Sequence, residues 1–128
     1  MTSRVGDEER VARAALTRVV ESSDVEAIAF VRSHGAVDAW ARLRARSGDV
    51  PAALRARLAA RARAARPEAD LALIARLGGR LICPGDSDWP SALADLERCE
   101  LGPPIALWMR GPADLAVVGA QLVAIVGT

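Results

Sequence analysis

From Asp7 to Leu77 the apolar residues recur at the three-and-four spacing of helices laid against a core. Asp7-Glu8-Glu9 place carboxylates where a helix N-terminus favours them, and that first helix sends Val11, Ala14, Ala15, Val19 and Val20 inward. Ser23-Asp24-Val25-Glu26 fits a capping box, the hydroxyl taking the third amide and the carboxylate reaching back. It opens a second helix through about Ser33, with Ile28, Ala29 and Val31 apolar, which Gly35 stops in a left-handed turn. A third helix holds Val37, Trp40 and Leu43 and ends near Gly48. Asp49 and Pro51 open a fourth, since proline fits a first turn whose amide has no partner. Pro67 breaks that helix; Glu68 and Asp70 begin a fifth, with Leu71, Ile74 and Leu77 as its core face and Gly78-Gly79 as its end.

After Gly79 the pattern changes. Arg80 to Cys83 is a short strand closed by a Pro84-Gly85-Asp86 turn. Asp88 to Leu93 forms a capped helical turn reaching about Leu96. Pro103-Pro104 force an extended approach into a second strand, Ile105 to Met109, closed by Arg110-Gly111-Pro112. A short helical turn follows at Ala113 to Val117. Leu122 to Val126 is a continuous apolar run rich in β-branched residues, followed at once by Gly127-Thr128. That is the pattern of a buried parallel strand entering a glycine turn. A parallel strand needs a crossover helix and a neighbour, so the expectation is that these residues are the front part of a longer protein. The expected fold class is α+β: an all-helical module over residues 1–78, then over 79–128 the opening of an α/β domain.

Composition narrows this picture. Apolar residues make up 52% but aromatics only 3%, and alanine is abundant, so the helices are expected to meet closely through small side chains. Basic and acidic residues nearly cancel, 17 against 16, which argues against a globally basic nucleic-acid binder or an acidic tail. Every basic residue is arginine. The guanidinium fork suits phosphate, but the accompanying alanine excess also fits the bias of a GC-rich coding sequence. Met1 to Glu9 is polar and acidic, unlike a signal peptide, and no apolar stretch reaches the roughly 18–20 residues of a membrane span. Cys83 and Cys99 lack metal-type spacing. A reduced, cytoplasmic setting is expected, with no metal.

Four features invite a chemical reading, each beside a plainer one. Phe30 to Trp40 is two short helices around Gly35, the layout that in helix-hairpin-helix units offers backbone amides to phosphate. Only one glycine stands there instead of the usual pair, and ordinary helix packing explains it equally. Arg55, Arg57, Arg61, Arg63 and Arg66 surround their helix and form no single stripe, as in a solvated helix. His34, the only histidine, sits at a helix end that favours a protonated ring, in no recognisable nucleophile motif. Gly127-Thr128, after a strand and before a helix, would present free amides to an anion; a plain strand-to-loop exit is the alternative.

The order of segments in residues 80–128 resembles the start of the conserved domain of the DNA-processing protein A family, the DprA/Smf proteins. The segments are Leu81 to Asp86, Asp88 to Leu93, Pro103 to Gly111 and Val123 to Thr128. Trp89-Pro90 stands where the family commonly has Tyr-Pro. The helical module is similar to the sterile-alpha-motif-like (SAM-like) or helix-hairpin-helix-like domain of many members. The resemblance implies an incomplete Rossmann-like domain over 79–128. It also implies a non-catalytic protein without a cofactor that binds single-stranded DNA, protects incoming strands in natural transformation and helps load the RecA recombinase, usually as a homodimer and away from membranes. In the family an arginine directly after the Gly-Thr turn meets DNA phosphate. Here only Gly127 and Thr128 carry over, with Arg110 as a candidate DNA contact at a strand end. Two other readings stay open: a Rossmann-type enzyme binding a nucleotide or sugar phosphate at Gly127-Thr128, and a helical protein-interaction module.

Overall fold

The computed structural model describes residues 5–127. Five helices come first: α1 Asp7–Val19, α2 Val25–His34, α3 Ala36–Ala45, α4 Ala52–Ala64 and α5 Pro67–Arg76. Helix α1 is the centre, packing against α3, α4 and α5. Its Ala12, Ala15, Leu16 and Val19 join Phe30, Trp40, Leu43, Val50, Leu54 and Leu58 in the main core. Alanine at Ala12 and Ala15 removes the bulk that would hold the neighbouring helices apart, as the composition leads one to expect.

Local chemistry sets the helix ends. Asp24, one residue later than the expected serine cap, accepts the Ala27 amide at 3.0 Å, while Arg57 donates to both its carboxylate oxygens at 2.9 Å. The charged cap carries a second anchor that a Ser23 hydroxyl could not hold. Gly35, at φ 81°, ends α2 and starts α3 in one residue. Helix α3 stops at Ala45, earlier than the glycine at 48 suggests, because Arg46 takes the left-handed conformation at φ 54° and its amide turns back onto Arg42 and Leu43. Helix α5 buries Pro67. Leu71 packs against a second core, Ile74 is half-buried, and Leu77 lies exposed, against its expected place on a core face.

Two strands follow, β1 Gly79–Ile82 and β2 Leu107–Arg110, paired antiparallel with Gly79 opposite Arg110 and Ile82 opposite Leu107. Their connection carries a 3₁₀ helix, Ser91–Arg98. The sheet rests on the opposite side of α1 from the main core, where Ala14 meets Leu81, Cys83 and Ala106, with Val5 and Leu71 at the margin. Helix α1 is therefore buried on two sides, which accounts for its run of alanines. Gly79 must be glycine: a Cβ there would stand 2.3 Å from the Met109 carbonyl oxygen and 2.8 Å from Ile74 Cδ1. A short helix α6, Leu115–Val118, and a 3₁₀ turn, Gly119–Gln121, complete the regular structure.

The expected strand at Leu122 to Val126 is not formed. Residues 122–127 have no regular structure, and Val123, Ile125 and Val126 are 84%, 94% and 94% exposed. The apolar pattern is present, but a strand exists only where a neighbour takes its amides and carbonyls. The two strands of this sheet pair with each other, and nothing among the described residues pairs with 122–126. The β1–β2 pair is likewise antiparallel rather than the start of a parallel sheet. Thr128 lies outside the described residues.

Candidate nucleic-acid site and the junction beneath its motifs

The Pro84-Gly85-Asp86 turn is pinned to α1. Asp86 takes two bonds of 2.8 Å from the Arg10 guanidinium and a third of 2.8 Å from the Cys83 amide. Arg10 also donates to the Leu81 carbonyl at 2.7 Å. Burial alone would push the Asp86 carboxyl up; Arg10 and the Cys83 amide more than offset this and hold it below the usual carboxylate range. The Asp86 bond in turn raises the Arg10 pKa, so the pair stays charged. Cys83, fully buried beside it, has its thiol pushed up to about 11 by that burial.

The other motif segments are held in the same way. Arg80 bridges three points: its Nε donates to Asp88 at 2.9 Å, and its terminal nitrogens to the Gly111 and Ala113 carbonyls at 3.1 and 2.9 Å. Arg13 of α1 donates to the Ile105 carbonyl at 2.7 Å. Trp108 donates from its indole nitrogen to Thr17 Oγ1 at 3.0 Å. A cleft of about 730 Å³ opens between α1, α5 and this turn, with Arg10, Arg80, Asp86, Asp88 and Asp114 on its walls. Both of those arginines are paired with carboxylates inside the cleft, so among the described residues its walls hold no unpaired cation. The segments Leu81 to Asp86 and Asp88 to Leu93 thus build a junction, not an anion site. The sequence gives little sign of this, because Arg10 and Leu81 are 71 residues apart and Arg13 and Ile105 are 92 apart. The one available signal was a pair of arginines set between the apolar positions of the first helix.

Of the candidate contact residues, Arg110 closes β2, exposed, with its Nε donating to the Leu77 carbonyl at 3.1 Å. Among the described residues its remaining guanidinium donors have no further partner. Gly127 stands at the end of the exposed 122–127 segment, with nothing within 4 Å of where a Cβ would be. No hydrogen bond joins the two positions, so the described residues form no closed phosphate cradle. The arginines of α4 divide. Arg57 pairs with Asp24 and Glu26, and Arg61 with Glu21, whereas among the described residues Arg55, and Arg66 just past the helix end, donate to main-chain carbonyls only. His34 stacks on Phe30 with ring centroids 4.4 Å apart, and its Nδ1 lies 3.0 Å from the Phe30 carbonyl oxygen and from Ser33 Oγ. Among the described residues no carboxylate lies within 4.0 Å of that ring. Among the described residues no group of His, Cys, Asp or Glu has a metal-binding arrangement, and no helix is long and apolar enough to cross a membrane.

No family model matches this chain, and no solved structure does. Two curated Mycobacterium tuberculosis proteins, from strains CDC 1551 / Oshkosh and ATCC 25618 / H37Rv, are similar to it; both are provisionally described as DNA processing protein DprA. Each is 38% identical over 121 residues, covering 88% of this chain and 30% of the relative. The chain spans less than a third of the length of these relatives. An alignment of that extent takes in both the helices and the pinned turns. The likeness to the DNA-processing protein A family first read from the motifs of residues 80–128 therefore holds by direct alignment over most of the chain.

Proposed function

We propose that this chain supplies the N-terminal part of a single-stranded DNA-binding protein of the DprA type, one that shelters incoming strands and assists RecA loading during transformation. The alignment with the two mycobacterial relatives carries this reading. In it, residues 1–78 form a helical module and residues 79–128 open a Rossmann-like domain. The apolar run 122–126 becomes a strand when further strands lie beside it. Gly127 and Thr128 then sit at the head of a helix, where free amides meet a phosphate, and Arg110 adds a cation. No step of bond-making is involved: the work is binding and hand-over, through phosphate contacts that weaken with salt and stacking that favours an unpaired strand. A homodimer is part of the same reading.

The test uses the polypeptide of the complete open reading frame that contains these residues. Anisotropy of a labelled single strand should show binding tighter than that of the matching duplex. Gly127→Asp, which sets a carboxylate where the phosphate should lie, should weaken it about tenfold or more, the scale of one lost charge-assisted contact. RecA should nucleate faster on a strand precoated with single-strand-binding protein when the polypeptide is present. Indifference of single-strand binding to Gly127→Asp, or RecA kinetics unchanged by the protein, would defeat the proposal.

A further inference from the structure

Helix α4 presents arginines on two flanks whose surroundings differ. With Arg55 set at zero and about 100° per residue, buried Leu54, Leu58 and Ala62 centre near 300°. On the same wheel Arg57 and Arg61 fall at about 200–240°. That flank is neutralised by Glu21, Asp24 and Glu26. Arg55 and Arg63 fall on the other side, at about 0 and 80°, and Arg66 follows just past the helix end. No carboxylate among the described residues lies within 4.0 Å of any of these three. Arg55 donates one bond, to the Ser47 carbonyl at 3.0 Å, which ties it to the residue after exposed Arg46 at the end of α3. Arg66 donates to the Arg63 and Ala65 carbonyls at 2.7 and 2.9 Å. Each guanidinium has five donors, so most stay free. The nearest acids are occupied: Asp49 by Arg42 and Ser47, Asp70 by Arg18. Glu68, exposed on the first turn of α5, is the one unpaired carboxylate close in sequence.

We propose that this flank, Arg46, Arg55, Arg63 and Arg66, is a second contact for the DNA phosphate backbone, apart from the Gly127 turn. It takes its ligand class from the functional reading above, but not its site. The guanidinium fork matches phosphate oxygens. Arg55 and Arg63 stand eight residues apart, about 12 Å along the helix, the axial rise of three to four phosphates on one strand of a duplex at about 3.4 Å each. Ala59, at about 40° on the same wheel, lies between them and neither covers nor neutralises the charges. The neighbouring Trp40 is buried under Arg44 and offers no ring for a base. This flank therefore grips backbone without reading bases, and takes single strand and duplex alike.

The experiment measures binding of the 128-residue chain to a labelled single strand and to its duplex across salt. Three to four phosphate contacts give weak binding that falls about twenty- to fifty-fold between roughly 50 and 200 mM salt. Arg55→Gln/Arg63→Gln/Arg66→Gln should remove about two from the single-strand log–log salt slope, at about 0.7 per lost contact. Arg57→Gln/Arg61→Gln, on the paired flank, should change it by less than one. Arg63→Gln/Arg66→Gln spares the Arg55–Ser47 bond and keeps the result readable if the triple variant melts early; it should remove about 1.4. In the complete polypeptide, a single-strand salt slope lowered by Gly127→Asp but not by Arg63→Gln/Arg66→Gln would confine contact to the turn and overturn this flank, which separates its fate from that of the turn. Equal losses from the two flanks, no binding at about 50 mM salt, or capture of heparin but not of DNA would overturn the proposal.

Discussion

Replacing Asp86 by alanine should cost this fold about 2–3 kcal/mol. Its side chain is 10% exposed and that of Arg10 is 24% exposed. The substitution removes two guanidinium bonds and leaves the Cys83 amide without its acceptor. Bonds to charged groups are worth about 1.5–3 kcal/mol each, and breaking a deeply buried pair costs about 3–5 kcal/mol. Arg10 keeps its bond to Leu81 and some contact with water, so the lower end applies. For a chain of this size that loss is a fall in Tm of about 8–12 °C. Urea unfolding of Asp86→Ala, Arg10→Ala and the double variant measures it directly. The cycle should return a coupling of about 1–2 kcal/mol, as for residues sharing one network. Coupling below about 0.5 kcal/mol would mean that the turn is held by its own backbone, and the account of the junction would be wrong.

The same pair makes a pH prediction with a definite sign. A carboxyl held below its usual pKa in the folded chain stabilises the fold above the unfolded-chain value of about 3.9. That contribution is lost as pH falls through the folded value. Wild type should therefore exceed Asp86→Asn by a constant margin above about pH 5, a margin that shrinks as the pH drops below about 4. A margin that grew on acidification would contradict the depressed carboxyl.

Other outcomes follow from single positions. A thiol reagent at about pH 8 should label exposed Cys99 rapidly, while Cys83, buried and with its thiol near 11, reacts only as fast as the chain opens; equal rates would place Cys83 at the surface. Gly79→Ala should cost more than about 2 kcal/mol, because its Cβ meets the Met109 carbonyl oxygen and Ile74, whereas Gly78→Ala, in open space at φ 74°, should cost about 1–2 kcal/mol of backbone strain. The reverse order in urea titrations would refute the close approach of β2 to α5. Amide exchange at 122–126 should be near the free-chain rate while Leu54 and Leu58 are protected; protection at Ile125 would show that the segment had found a neighbour.

What was legible in the sequence was what is local. Gly35, Pro51 and Pro67 mark helix boundaries to within a residue or two because each acts on its own backbone. The two short strands showed in their apolar runs for the same reason. The end of α3 was misplaced because Arg46 adopts a conformation usually left to glycine, and the α2 cap slipped by one because Arg57, 33 residues away, holds Asp24. The segment Leu122 to Val126 failed differently. Its composition records burial, yet burial is a property of its neighbours, and none among the described residues pairs with it. The partners of the arginines that pin the junction were unreadable, since no window along the chain joins Arg10 to Asp86.

That last point bears on how the likeness to DprA relates to function. Three of the four segments that carry the likeness, around Asp86, Asp88 and Trp108, have these polar groups engaged within the molecule: Asp86 with Arg10, Asp88 with Arg80, the Trp108 indole with Thr17. Groups satisfied in this way hold a junction in shape and have little left to offer a ligand. Under the proposed function a DNA backbone needs guanidinium groups with no carboxylate partner among the described residues, and Arg110 and the Arg55–Arg63 flank offer them, bound at most to main-chain carbonyls. A nearly neutral net charge conceals this, because it adds the paired and unpaired arginines together. The recognisable Asp86, Asp88 and Trp108 therefore secure the frame, and the proposed contacts with DNA are to be sought at the Gly127 turn, at Arg110 and along the α4 flank. Substituting Asp86 should thus lower stability while leaving the salt slope of DNA binding by the folded protein untouched, and substituting Arg63 and Arg66 should do the opposite.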